Sequence, residues 1–101
     1  MASKKAIGFS VSTSGASAVD LVTNATVKTT GRSIIKEVHL KVSGADGYLG
    51  LGVTATTTAG INIIPLFQDT FVDLEDVEYS SLSIIRAAGS NVTVAGFVVV
   101  N

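Results

Sequence analysis

The chain contains no cysteine and no tryptophan, one proline (Pro65), one histidine (His39), and few charges, 15% of residues against about 25% in a typical soluble domain. Without cysteine there is no disulfide framework, no thiol nucleophile and no thiolate-bound zinc. Without tryptophan the broadest sugar-stacking platform is missing, which leaves Tyr48 and Tyr79 as the only polar-tipped aromatic candidates. No apolar run approaches the roughly 20 residues that a membrane-crossing helix needs. The opening, MASKKAIGFSVSTSG, lacks the apolar core of a secretory leader. The expectation is a soluble chain made in a cytoplasm, with no membrane partner.

The place of the missing charge is taken by Ser, Thr, Gly and Ala. The remaining charge is uneven. Residues 1–50 carry a net +3, from Lys4, Lys5, Lys28, Arg32, Lys36 and Lys41 against Asp20, Glu37 and Asp46. Residues 51–101 carry a net −4, from Arg86 against Asp69, Asp73, Glu75, Asp76 and Glu78. Such asymmetry favours docking on an oppositely charged neighbour. The basic residues are spread along the chain and no aromatic stripe accompanies them, so nucleic-acid binding is not expected.

Apolar residues recur with a period of two almost throughout, the signature of strands. GRSIIKEVHLKVSG is the clearest case: Val38, Leu40 and Val42 face one way, and Glu37, His39 and Lys41 the other. Asp46-Gly47 after it is a hairpin signal, and Ala88-Gly89-Ser90 reads as a second hairpin loop. A further strand covers residues 48–57. Gly50 and Gly52 share one of its faces, which suggests close approach of another backbone. Pro65 cannot donate to a ladder and marks residues 61–67 as an edge or a strand end. Residues 18–30 read as one or two strands broken at Asn24. Seven or eight strands in about 100 residues, with no convincing helix, point to one all-β domain: an antiparallel β-sandwich or jelly roll.

Chemistry is sparse. Glu37, His39 and Lys41 are spaced two apart on one strand face, so their side chains are able to meet. A general base also needs a nucleophile and a shaped pocket, and neither is evident, so the row reads as a polar solvent-facing strip. The acids of residues 69–78, DTFVDLEDVE, offer oxygens to a hard cation but do not follow the EF-hand spacing. GYLGLG has neither the dinucleotide nor the P-loop order and lies within a strand pattern. No enzyme activity, cofactor or metal is expected.

The last stretch, NVTVAGFVVVN, is apolar on both faces: Val94, Val98 and Val100 on one, Ala95, Phe97 and Val99 on the other. An exposed strand of that kind is an aggregation hazard, so the second face calls for a cover. A subunit interface is the expectation, with Val94, Phe97 and Val99 as its candidate residues.

The Ser/Thr/Ala/Gly-rich opening SVSTSGASAV, the strand GRSIIKEVHLKVS, the Gly- and Thr-rich YLGLGVTATTTAG and the ending NVTVAGFVVVN together resemble the small β-sandwich virion proteins of tailed bacteriophages. These include capsid decoration (cement) proteins and related head or tail accessory proteins. The likeness spans residues 10–101 and is one of strand order and composition. It implies a structural protein without catalytic residues, often a homotrimer, that binds the outside of a phage head and bridges neighbouring copies of the major capsid protein. It also implies a flexible N-terminal arm, residues 1–6, before a single domain, residues 7–101, with Lys4 and Lys5 placed to meet an acidic capsid surface. The alternatives are a tail, neck or fibre accessory protein and a small carbohydrate- or cell-surface-binding module.

Overall fold

A computed structural model describes residues 4–101. Eight strands and one short helix follow in the order β1 (Lys5–Ser12), β2 (Val19–Val22), α1 (Asn24–Thr29), β3 (Ile35–Ser43), β4 (Gly47–Leu51), β5 (Ile63–Leu66), β6 (Phe71–Leu74), β7 (Leu82–Arg86) and β8 (Thr93–Val100). They form two four-stranded antiparallel sheets. Sheet A has the order β1-β8-β3-β6 and sheet B the order β2-β7-β4-β5. The pairs β1–β8, β2–β7, β3–β6 and β4–β5 are nested like the two arms of one long hairpin folded back on itself. Rolled into a sandwich, that arrangement is a jelly roll.

Nesting explains two departures from the sequence expectation. Asp46-Gly47 and Ala88-Gly89-Ser90 do not close hairpins. Each carries the chain from one sheet to the other, as does every connection except that from β4 to β5. The Asp46 turn is tied at the sandwich end: its carboxylate accepts the Gln68 N–H at 2.8 Å, and its carbonyl accepts the Ala87 N–H at 3.1 Å.

Period-two alternation selects the core. Val38, Leu40 and Val42 of β3 and Val94, Val98 and Val100 of β8 are buried against Leu49, Leu51, Leu66, Leu82 and Ile84 of sheet B. In β3 the alternation skips one residue. The ladder shifts between Ile35 and Glu37, a bulge that turns both Ile35 and Val38 inward with two polar residues between them. In β8 the inward position 96 is glycine. A β-carbon there would run into the His39 carbonyl oxygen and lie 2.7 Å from the Leu40 Cα. The close β3–β8 approach therefore requires glycine.

Three other expectations change. Residues 18–30 hold β2 and then a helix. The Thr23 hydroxyl caps α1 by accepting the Thr26 N–H at 3.1 Å, and Val27 plugs the core. The strand expected over residues 48–57 ends at Leu51, because Gly52 adopts φ +73°. The chain then folds back over its own sheet, where the Ser83 hydroxyl donates to the Val53 carbonyl at 3.0 Å and accepts the Ala55 N–H at 2.8 Å. A β-carbon on Gly50 would lie 2.8 Å from the Ala55 nitrogen, so the backbone approach inferred from the glycines is made by the chain's own next turn. Finally, Lys5 and Ala6 of the expected arm belong to β1, paired with Val100 and Val99, while residues 1–3 of that arm lie outside the described residues. The proline-marked stretch does form an edge strand, β5.

Ile84→Ala should lower unfolding free energy by about 2–5 kcal/mol in urea titrations, as large-to-small changes in packed cores do. Gly96→Ala, although it adds a single carbon, should cost at least as much by forcing β8 away from β3.

Candidate functional site

Sheet A turns one face outward, opposite the core. Pairing arranges that face in rows. Gly8, Phe97, His39 and Asp73 form the central row across β1, β8, β3 and β6. Ser10, Ala95, Lys41 and Phe71 form the row on one side, and Ala6, Val99 and Glu37 the row on the other. Side chains change character from strand to strand: small on β1, apolar on β8, charged on β3, mixed on β6.

His39 is the hub. Its Nδ1 lies 2.8 Å from Asp73 Oδ1 and its Nε2 lies 3.1 Å from Glu37 Oε1. The imidazole stacks on Phe97, with ring centroids 4.9 Å apart and 29° between planes. Carboxylates only accept, so both nitrogens satisfy their partners together only as donors, which is the imidazolium. The bonds from Asp73 and then Glu37 accordingly raise the His39 pKa above its ordinary value of 6.5, against the opposing effect of burial. Lys4 Nζ sits 3.8 Å from Glu37 Oε2. Glu75, just beyond the end of β6, brings a carboxylate oxygen into the same corner. One ligand atom from each of Glu37, His39 and Glu75 lies within 4.8 Å of the other two, so among the described residues these three are placed to hold a metal ion.

Around this hub, Lys41 leaves the expected polar row and places its ammonium 5.8 Å from the centre of the Phe71 ring. Lys36 Nζ meets Glu78 Oε1 at 2.8 Å, which lowers the Glu78 pKa. Three of the five acids of residues 69–78 thus have separate places: Asp73 at His39, Glu78 at Lys36 and Glu75 at the Glu37 corner.

The candidate interface residues separate. Val94 is wholly buried in the chain's own core and has no surface to offer a partner. Phe97, 43% exposed, and the half-buried Val99 share the outer face. Lys5 opens β1 in step with Ile7 and Phe9, which pack against the core, whereas Lys4, just before the strand, reaches Glu37 on the outer face. Nothing local in the sequence pairs Asp73 with His39. The one signal for it, the two-residue spacing of Asp73 and Glu75, needs the β3–β6 pairing to acquire meaning.

Elsewhere, an open cavity of about 280 Å³ lies at the sandwich end, lined by Asp46, Gln68, Ser90 and small residues. Its carboxylate is already bound to the Gln68 N–H. Both nitrogens of His39 face carboxylates, so neither is aimed at a serine hydroxyl. No helix among the described residues is long and apolar enough to cross a membrane. Comparison with protein-family models, with curated proteins and with solved structures found no match.

An NMR titration of His39 should give a pKa above 6.5, and Asp73→Asn should bring it down. Because the folded value is the higher one, the stability from these pairs is fully present below about pH 6.5 and is lost as pH rises through the folded-state pKa. Denaturation midpoints measured on either side of that value should fall with rising pH in the wild type and change less in Asp73→Asn.

Proposed function

We propose that the protein is a non-enzymatic structural subunit of a virion that assembles through the outer face of sheet A, as a capsid decoration protein would. The observation that carries this reading is the exposed apolar centre of that face. Phe97 stands 43% exposed on an interior strand of the sheet, beside Ala95 and Val99, and Phe71 stands 71% exposed on the edge strand β6, beyond β3. Aromatic anchors within a polar surround are the usual anatomy of protein–protein contacts.

The small residues on β1 support the same reading. Ala6, Gly8 and Ser10 leave the flank of Phe97 open, so a partner is able to approach closely. Lys4, Glu37 and Lys41 supply a charged rim that sets register more than affinity. A homotrimer is the favoured state, with the major capsid protein as the second partner and the virion as the location. Of the two lysines expected at the capsid, Lys4 is the one carried on this face. The likeness to phage virion proteins in strand order and composition bears on this reading, and the jelly roll is compatible with it. The jelly roll also serves many other functions.

Light scattering behind size exclusion tests the self-association. The wild type should elute as an oligomer, and Phe97→Asp as a monomer with unchanged far-ultraviolet circular dichroism, since the side chain is not part of the core. A wild-type monomer at high concentration, with no retention on purified capsids, would remove the proposal.

A further inference from the structure

We infer that Glu37, His39 and Glu75 form a site for a borderline divalent transition-metal ion such as zinc, with Asp73 as the residue that orients the histidine. The inference does not rest on the virion reading.

The donor set is the first argument. One imidazole nitrogen and two carboxylate oxygens suit zinc and its neighbours, whereas calcium takes six to eight oxygens and no nitrogen. These three groups lie within 4.8 Å of one another. Ligands about 2.1 Å from a tetrahedral zinc lie about 3.4 Å from each other. Glu37 Oε1 and His39 Nε2, at 3.1 Å, are already near that separation. Glu75 is exposed and follows the last residue of β6, so its side chain is able to swing and close the remaining gap.

The second argument is how His39 is held. Histidines that bind metals commonly donate their other ring N–H to a carboxylate, which fixes the tautomer and aims the lone pair. Here Asp73 Oδ1 lies 2.8 Å from Nδ1, on the far side of the ring from Glu37. The Phe97 ring stacks against the imidazole and restricts its rotation. Nε2 is thereby left facing Glu37, beside which Glu75 also offers an oxygen. On metal binding the Nε2 proton passes to solvent, and Nδ1–H stays with Asp73.

Charge is the third argument. Glu37, Asp73 and Glu75 place three carboxylates around one imidazole, and the nearest lysine ammonium in the corner is that of Lys4, 3.8 Å from the distal Glu37 oxygen. Lys36 and Lys41 are directed elsewhere, to Glu78 and to the Phe71 ring. The His39 imidazolium and Lys4 now offset two of those three charges; a divalent ion that displaced the Nε2 proton and Lys4 would supply the same two positive charges at a single point between the ligands. Three protein ligands leave the fourth tetrahedral position open, to water or to a partner's side chain.

Isothermal titration of the untagged full chain with zinc chloride, followed by ¹⁵N NMR of the His39 ring, tests the site. The expected result is one saturable site of micromolar affinity, with a large shift at Nε2 and a retained proton at Nδ1. Glu75→Gln, which alters an exposed side chain outside the strands, should weaken binding tenfold or more. Asp73→Asn should weaken it by about 10- to 100-fold, the usual cost of losing a carboxylate behind a metal-bound histidine. Calcium chloride at the same concentrations should not compete. The inference is overturned by failure to saturate at millimolar zinc, by an unchanged affinity in Glu75→Gln, by coordination through Nδ1, or by equal calcium affinity.

Discussion

The close pairing of β3 with β8 governs the rest of the molecule. These two strands form the centre of sheet A, and their register at Leu40 and Gly96 brings the backbones so near that no side chain fits at position 96. The same register sends Val38, Val42, Val94 and Val98 into the core and sets His39 against Phe97 on the other side. The bulge at the start of β3 shifts the ladder by one residue and so turns Ile35 inward as well as Val38. A looser β3–β8 contact would at once thin the core and separate the two rings that organise the outer face.

Jelly-roll winding then places the remaining chain. With strands nested in pairs, the first and last strands become neighbours, and β8 is covered at both edges, by β1 and β3. That removes the edge hazard of an apolar strand. It does not cover the strand's outer face. Sheet B deals with the same problem differently, because the turn after Gly52 lies over Gly50 and Ser83 and buries the Ser83 hydroxyl in hydrogen bonds to its backbone. Sheet A has no such strap among the described residues, which is why its Phe97 stays accessible.

The outer face of sheet A therefore carries two properties on adjoining strands. β8 contributes apolar surface and β3 with β6 contributes carboxylates, and His39 belongs to both, stacked on one side and hydrogen-bonded on the other. Anything that binds the carboxylate corner would change the charge immediately beside the apolar centre. The proposed assembly contact and the proposed metal site are physically adjacent for that reason, although neither requires the other.

Much of this was legible in the residues themselves. Period-two alternation is a local property of the pleated backbone, so SIIKEVHLKVS announced its buried and exposed faces directly, and Pro65 announced an edge because it lacks a donor. The all-β class and the two-faced character of the last strand follow from the same local rules. Other features depended on which strands meet, a long-range matter settled by burying two sheets at once. Val94 and Phe97 look equally apolar in sequence, yet only the direction of the core makes one interior and the other surface. Asp73 becomes the partner of His39 through β3–β6 pairing across 34 positions. Asp46-Gly47 has hairpin chemistry, but it joins two sheets because the nested winding leaves β3 paired with β6 and β8. Residues 24–29 are β-branched enough to suggest a strand, but a threonine cap and one buried valine make them a helix. By itself the sequence determined which residues alternate, where the chain turns and which chemistries are missing. Tertiary structure alone decided which faces look inward and which distant side chains touch, because pairing energy is shared between segments that have no knowledge of each other along the chain.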